Sequence, residues 1–452
     1  MIGSGDLQTA HLAVQTAGKR SATTGRRVSF ATSDLTPRES RPARIAIVTG
    51  SYNYIKDGIA VTLNHVVEYL EAHNVEVLVF APVAKSPAFA HKGTIVPVPS
   101  VPLPMRVEYR VALGLPHAAR RRLQAFQPDI IHIAVPDLLG YRALKLGLEW
   151  NVPVVASYHT RYETYLKHYG LEFLRGALVK YLRYFYGACR EVYVPSGSMA
   201  EVLVAEGVLC NMHLWTRGVN TLLFHPDKRS DSWRTKYGIR PEELVVVFVG
   251  RLVREKQLGI LVDILQKFGA TGIPHRGLIV GDGPERDAIK KQLPQTRFTG
   301  FLDGEELANA YASADIFLFP SDTESFGNVT LEAMASGLPA VCADATGSRS
   351  LVKPGVTGFL AKPACADVFV EHIRTLAADA NLRRHMGVAA RERSLHFTWE
   401  DAMARLLGYY EALLASRERK PTDGINRHFF DQAEIDARTG FAAPERGKAL
   451  PQ

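Results

Sequence analysis

Apolar residues in this chain gather in short unbroken runs rather than alternating with polar ones. RIAIVTG (44–50), VEVLVFAP (75–82), TIVPVP (94–99), DIIHIAVP (129–136), PVVASYH (153–159), EVYVPS (191–196) and LWTRGV (214–219) each read as a strand. Unbroken Ile/Val runs predict strands covered on both faces. Between the first two, Val61, Val66, Val67 and Leu70 stand at helical spacing. Helical stretches separate most of the other runs as well. Strands that alternate with helices predict parallel βαβ units.

The pattern then starts again. FHPDKRSDSW (224–233) is polar and irregular and reads as a linker, and LVVVFVG (244–250) is a new first strand. A helix over 255–268 follows, then GLIVG (277–281), RFTGF (297–301), IFLFPS (316–321), PAVCA (339–343) and GFLAK (358–362). The expected fold is α/β, with two doubly wound Rossmann-like domains facing each other across a cleft. The first spans 44–222 and the second 223–397; an amphipathic helix covers 398–420. Residues 1–43 read as a disordered basic tail and 421–452 as a disordered polar one. In open α/β sheets ligands bind beyond the carboxyl ends of the strands, so the residues just after each run are the ones to inspect.

Composition narrows the classes without choosing a chemistry. In 452 residues, 46% apolar and 22% charged exclude a wholly disordered or collagen-like chain. Four widely spaced cysteines without a C-x-x-C exclude a disulfide-stapled miniprotein and suit a reducing compartment. No run approaches the length of a membrane span. A net charge of +8 favours an anionic partner: phosphate, acidic lipid or nucleic acid.

Three segments carry candidate chemistry. GRLVREK (250–256) follows the strand at 244–249; Gly250 permits a tight turn, and Arg251 and Lys256 stand at the mouth of the sheet. Two cations there suit a diphosphate. The other reading is a solvated helix start, although helix N-termini favour acids. GDGPE (281–285) is a tight turn after the next strand, either a plain connection or, at Gly281, a close backbone approach to a nucleotide base. PSDTESFGNVTLEAMASGLPAV (320–341) places Glu324 and Phe326 on a loop, Gly327 before a helix that begins near Asn328, and Glu332 in its first turns. Gly327 lets the loop turn its N–H groups to an anion at the helix start. Glu332 could accept from ribose hydroxyls or merely complement the helix dipole, and Glu324 could face the cleft or solvent. His159 ends a strand beside Thr160, Arg161 and Tyr162; it is either structural or a cleft residue.

With these residues in view, Glu324…Glu332 inside ESFGNVTLEAMASGLPAV resembles the retaining glycosyltransferases of family 4, which have the GT-B fold. GRLVREK resembles that family's phosphate-binding segment, LWTRGVNTLLFHP (214–226) its interdomain strand and linker, DGIAVTLNHVVEYL (57–70) its first loop and helix, and SYHTRYETYLKHYG (157–170) its histidine-bearing loop. The resemblance covers about 44–415 and is strongest to lipid-directed members. These are the sulfoquinovosyl diacylglycerol synthases and the phosphatidylinositol and diacylglycerol mannosyl- or glucuronosyltransferases. It implies that Arg251 and Lys256 hold the donor diphosphate, Glu332 the ribose and Glu324 the sugar hydroxyls. Backbone groups at Phe326, Gly327 and Asn328 would meet phosphate and sugar, Gly58 would admit the phosphates, and His159 would touch the transferred sugar. Asp57-Gly58 departs from the Gly-Gly that many relatives carry there.

The implied reaction moves a hexosyl group from a UDP- or GDP-linked sugar to a membrane glycerolipid, forming an α-glycosidic bond with no cofactor and no metal; the chain has no D-x-D. The alternatives are a soluble sugar or polysaccharide-precursor acceptor, or a nucleotide-sugar epimerase on the same fold. A dinucleotide-dependent oxidoreductase lacks its G-x-G-x-x-G, and no nucleic-acid signature appears. Two basic-aromatic stretches, Arg106–Arg122 and Arg161–Arg190, suit either interfacial helices on anionic lipid or solvated helix faces whose rings pack inward. The first gives a cytoplasmic protein held peripherally on the cytoplasmic face of a membrane.

Overall fold

The computed structural model describes residues 41–103 and 106–418. The two expected tails therefore lie outside the described residues, apart from 41–43. In the first half, β1 (Arg44–Val48), α1 (Gly58–Ala72), β2 (Glu76–Pro82) and β3 (Thr94–Val98) lead to a hairpin, β4 (Ser100–Leu103) and β5 (Arg106–Ala112). Then come α2 (His117–Phe126), β6 (Ile130–Ile133), α3 (Leu138–Glu149), β7 (Val154–Ser157), α4 (Tyr162–His168), α5 (Arg175–Gly187), β8 (Glu191–Val194), α6 (Gly197–Ala205) and β9 (Met212–Leu214). The parallel sheet runs β3-β2-β1-β6-β7-β8-β9, with the chain reversing direction across the sheet between β1 and β6.

The second half opens with α7 (Asp231–Lys236). It continues with β10 (Leu244–Val249), α8 (Leu258–Gly269), β11 (His275–Val280), α9 (Arg286–Gln292), β12 (Arg297–Gly300), α10 (Gly304–Ala312) and β13 (Ile316–Phe319). It closes with α11 (Asn328–Ala335), β14 (Ala340–Ala343), α12 (Thr346–Leu351), β15 (Gly358–Ala361), α13 (Ala366–Ala378), α14 (Ala380–Ser394) and α15 (Trp399–Glu418). Its sheet order, β12-β11-β10-β13-β14-β15, repeats the reversal beside β10. Each sheet is buried on both faces, as the unbroken runs require: Val245–Val249 and Ile316–Phe319 are all within the core.

Four features differ from the sequence reading. LWTRGV is a strand only in its first residue, since β9 ends at Leu214 and Trp215 turns into the core instead. A helix, α7, begins inside the segment read as irregular, because Ser230 caps it by accepting from the Trp233 N–H and the Trp233 ring is buried. The stretch from Arg106 is not one helix. RVEYRVA forms β5, antiparallel to β4, and α2 starts only at His117, beyond Gly114 and Pro116. The two-residue alternation of polar and apolar groups in β5 is the signal of a ribbon with two different faces. Finally, α15 does not stand apart. Ala402, Met403, Leu406, Tyr410, Leu413 and Leu414 lie in the core formed by β1, β2 and α1.

The chain thus crosses between the halves twice, and the crossings touch. The Val219 N–H donates to the Phe397 carbonyl at 2.9 Å. A Cβ at Gly218 would fall on the backbone of Trp399, so only glycine admits the crossing. Trp399 stacks on His65, and the Trp215 ring N–H donates to the Ala402 carbonyl at 3.1 Å. These contacts bring the carboxyl ends of the two sheets face to face.

Candidate active site

On the second half, the loop after β10 is built by backbone packing. The Gly250 N–H donates to the Val280 carbonyl, and a Cβ at Gly281 would fall on the Gly250 carbonyl oxygen. What the structure demands of Gly281 is therefore close packing against the GRLVREK loop. The Ser321 and Thr323 hydroxyls donate to the Glu255 carbonyl and tie that loop to the one after β13. Lys256 forms an ion pair with Glu324; the two side chains are 16% and 18% exposed. The Lys256 ammonium also lies 5.5 Å from the Phe319 ring centroid. Arg251 lies 5.3 Å from the ring centroid of Tyr109, which comes from β5 across the cleft.

The loop after β13 is pinned on both sides of Glu324. The Thr346 hydroxyl and the Gly347 N–H both donate to the Glu324 carbonyl, at 2.6 and 3.0 Å. Phe326 is buried and meets Phe397 edge to face, which leaves the backbone of this turn as its exposed chemistry. Gly327, with φ +99°, occupies the N-cap of α11 without a side-chain cap, a conformation that costs other residues more. The first-turn N–H groups of α11 are left for a ligand. One turn on, Glu332 Oε2 accepts from the Tyr311 hydroxyl at 3.0 Å. Burial pushes the Glu332 carboxyl up to about 7, against the opposing pull of that hydrogen bond.

The first half brings a matching helix start. Gly58 opens α1, and a Cβ there would stand 3.5 Å from Nδ2 of the Asn328 side chain. The N-termini of α1 and α11 thus meet across the cleft. Asp57, which departs from the family's pattern, is the N-cap of α1: it accepts from the Ala60 N–H at 2.8 Å and the Ser51 hydroxyl at 3.0 Å. Burial raises its carboxyl, opposed by those two hydrogen bonds and, after them, by the positive charge of Arg251. Asp137 caps α3 in the same manner and is pushed up by burial to about 6.

His159 stands at the end of β7 with both ring nitrogens engaged: Nε2 is 2.8 Å from the Ser157 hydroxyl and Nδ1 is 3.1 Å from Arg217 Nη2. Its carbonyl accepts from the Ser325 hydroxyl at 2.6 Å, so the histidine loop and the Glu324 loop are bonded directly. Other bonds span the cleft. They include the Ser198 hydroxyl to the Thr346 carbonyl (2.6 Å), Lys56 to Asp303 (2.8 Å) and the Tyr169 hydroxyl to Glu255 (3.4 Å).

Of the residues singled out in the sequence, the structure gathers Gly58, His159, Gly250, Arg251, Lys256, Glu324, Phe326, Gly327 and Asn328 about one cleft. Gly281 lies behind Gly250, and Glu332 one turn along α11. Sequence reasoning missed Arg217, Ser325, Tyr109 and Tyr311. Ser325 and Arg217 lie inside quoted motifs, but only the fold shows that they touch His159. Tyr109 was hidden in a stretch read as helix. No three His, Cys, Asp or Glu side chains among the described residues are grouped so as to hold a metal ion.

Comparison with known proteins covers both halves. The family model Glycosyltransferase Family 4 matches residues 56–222, and Glycosyl transferases group 1 matches 229–393. Sulfoquinovosyl transferase SQD2 of Arabidopsis thaliana is 32% identical over 84% of this chain and 76% of its own. A GDP-mannose-dependent alpha-mannosyltransferase of Corynebacterium glutamicum is 34% identical over 84% of this chain and 92% of its own. The alpha-monoglucosyldiacylglycerol synthase of Acholeplasma laidlawii is 24% identical over 66% and 79%. Among solved structures, sucrose-phosphate synthase from Thermosynechococcus elongatus superposes with a TM-score of 0.69 at 22% identity, over 83% of this chain and 100% of that one.

Proposed function

The chain belongs to the glycosyltransferases that join a family 4 half to a group 1 half, and on that premise we propose that it moves a hexosyl group from a UDP- or GDP-linked sugar to a glycerolipid hydroxyl, with retention at the anomeric carbon. It has the two Rossmann-like sheets of the GT-B fold and is a hexosyltransferase that draws on a nucleotide sugar. The observation that carries the site is the meeting of the α1 and α11 starts at Gly58 and Asn328, with Arg251 and Lys256 at the same mouth.

As the glycosidic bond to the diphosphate breaks, negative charge grows on the departing phosphate oxygen. Arg251, Lys256 and the free N–H groups of α11 stabilise it from positions set before the reaction begins. A diphosphate that takes over Lys256 frees the Glu324 carboxylate for the sugar hydroxyls. Glu332 offers its second oxygen to the ribose. The bonds across the cleft keep water from the donor. Retention and the α-linkage rest on the family resemblance and on the word alpha in two relatives' names.

Two observations support a lipid acceptor: the diacylglycerol in one relative's name, and an exposed apolar corner on the first half. Phe173 is 78% exposed and Leu174 is also exposed, between α4 and α5, with Lys167 and Lys180 exposed nearby. No helix among the described residues is long and apolar enough to cross a membrane. The protein would act from the cytoplasmic face, held peripherally.

The deciding experiment screens nucleotide sugars by thermal shift, then incubates the stabilising donor with glycerolipids and identifies products by mass and anomeric configuration. A donor at a hundred times its Kd should stabilise the fold by about 2.7 kcal/mol. A β-linked product, or transfer only to soluble sugars, would falsify the retaining or the lipid part of the reading respectively.

A further inference from the structure

Arg217 is 4% exposed, yet no carboxylate among the described residues pairs with it. Nη1 donates to the carbonyls of Trp215 at 2.8 Å and Thr216 at 3.3 Å, and the guanidinium carbon lies 4.3 Å from the Trp215 ring centroid. Those contacts clamp the side chain to its own segment. Nη2 is aimed elsewhere, at His159 Nδ1. A cation buried without an anion is costly and needs a reason beyond two local carbonyls.

A guanidinium has donors only. His159 Nδ1 must therefore accept, and the neutral ring carries its proton on Nε2, toward the Ser157 hydroxyl. We propose that Arg217 is a positioning residue for sugar transfer: it holds His159 as a neutral, Nε2-protonated ring in one orientation, beside the loop that carries Ser325 and Glu324. The proposal rests on the reading of His159 as a donor-site residue.

The surroundings agree from every side. After β9 comes Arg217 itself, and from β6 comes His132. From the second half, Ser325 meets the His159 carbonyl rather than its ring. From α15, Tyr410 bonds to His132 Nδ1. Burial, the Arg217 charge and His132 all hold His159 well below the usual imidazole range. Protonating Nδ1 would set a second positive charge against the guanidinium and remove its acceptor.

The test is a long-range proton–nitrogen NMR spectrum of the donor-free full chain, with His159 assigned by its loss in His159→Gln. Nδ1 should show an acceptor-type shift that stays constant from about pH 8 to about pH 5.5. Arg217→Met removes the donor that fixes the tautomer while burial still keeps the ring neutral, so the Nδ1 and Nε2 shifts should move toward a mixture of the two tautomers and kcat at saturating donor should fall. Arg217→Lys keeps the charge and a donor, and should restore the single Nε2-protonated tautomer. The proposal is overturned by a wild-type His159 protonated on Nδ1 or titrating near its ordinary pKa, which can be read even if the Met variant fails to fold. It is equally overturned by an unchanged spectrum in a folded Met variant. If the spectra come out as expected but His159→Gln keeps full kcat, the donor-site reading of His159 fails and the tautomer assignment stands.

Discussion

At the scale of single residues, the family resemblance implies Lys256 on the phosphate and Glu324 on the sugar as separate roles, and the fold pairs the two side chains. Arg251→Ala and Lys256→Ala should each weaken donor binding by roughly 1.5–3 kcal/mol, about ten- to a hundred-fold. The pairing adds an expectation: the double variant Lys256→Ala, Glu324→Ala should lose less than the sum of the single losses, which a double-mutant cycle on nucleotide-sugar affinity measures. Strict additivity would show that the pair does not persist in solution. Glu332 titrates where it can be watched. Its carboxyl, raised to about 7, is a better acceptor for ribose hydroxyls once ionised. Affinity for the nucleoside diphosphate should therefore rise between about pH 6 and pH 8, and Glu332→Gln should lose the share of that rise absent from the titration of phosphate itself. For stability the sign is opposite. The fold keeps the Glu332 proton that the unfolded chain releases, so its contribution is complete below an ordinary carboxyl pKa of about 4.5 and is lost as pH rises through about 7. Calorimetry across that window should show a flatter profile for Glu332→Gln. Glu324 and Glu332 were legible from their spacing in one loop-helix motif. The Tyr311 hydroxyl behind Glu332 was not, because a hydrogen bond between residues on two different helices leaves no trace in local sequence.

At the scale of elements, the last helix carries the clearest consequence. Leu406 is 1% exposed although it lies after the second half, because α15 packs on β1, β2 and α1. Leu406→Ala should cost about 2–5 kcal/mol in denaturant unfolding, where Val388→Ala on the exposed side of α14 should stay within about 0.5 kcal/mol. Tyr410→Phe removes the hydroxyl bonded to His132 Nδ1, where His132 Nε2 has no partner among the described residues, and should cost about 1–3 kcal/mol. Equal losses at Leu406 and Val388 would mean that the helix is not docked in solution. The amphipathic period of this helix was plain in the sequence, but period says only that one face is apolar. Which sheet that face covers depends on the path of the chain across the gap. The β4–β5 hairpin was missed for a related reason: five arginines between 106 and 122 drew attention to charge, while the alternation in RVEYRVA carried the backbone state.

At the scale of the whole molecule, the membrane question is one of surface arrangement. The basic-aromatic stretch Arg161–Arg190 turns Phe185 fully inward and Tyr181 half inward, with its hydroxyl on the Pro136 carbonyl. Burial raises the Tyr165 phenol well above its ordinary pKa, and the charges of Glu324 and Glu255 act on it in the cleft. What remains outward is Phe173, Leu174 and Tyr184, with Lys167 and Lys180 exposed in the same stretch. Binding to anionic vesicles should weaken with salt, since each basic residue contributes on the order of 1 kcal/mol within a Debye length. Phe173→Ser should leave the melting temperature unchanged and weaken co-sedimentation by about ten-fold or more, the worth of one exposed aromatic side chain entering the interface. Equal sedimentation of the Ser variant would take the corner out of the membrane contact.

Local pattern was enough for the two doubly wound α/β halves and the loop from Ser321 to Asn328. Unbroken apolar runs, turn glycines and strand-helix alternation act over a few residues, and those residues are adjacent in the chain. Tertiary structure alone decided the rest. It set Gly58 against Asn328, Ser325 on the His159 carbonyl, Arg217 on the His159 ring and α15 on the first sheet. Each of these contacts joins residues more than fifty positions apart, and whether they meet depends on the path of the chain between strands of one sheet or, across the cleft, on how the crossing segments hold the two halves. That geometry is set by packing at Gly218, Trp215 and Trp399, not by any pattern along the chain.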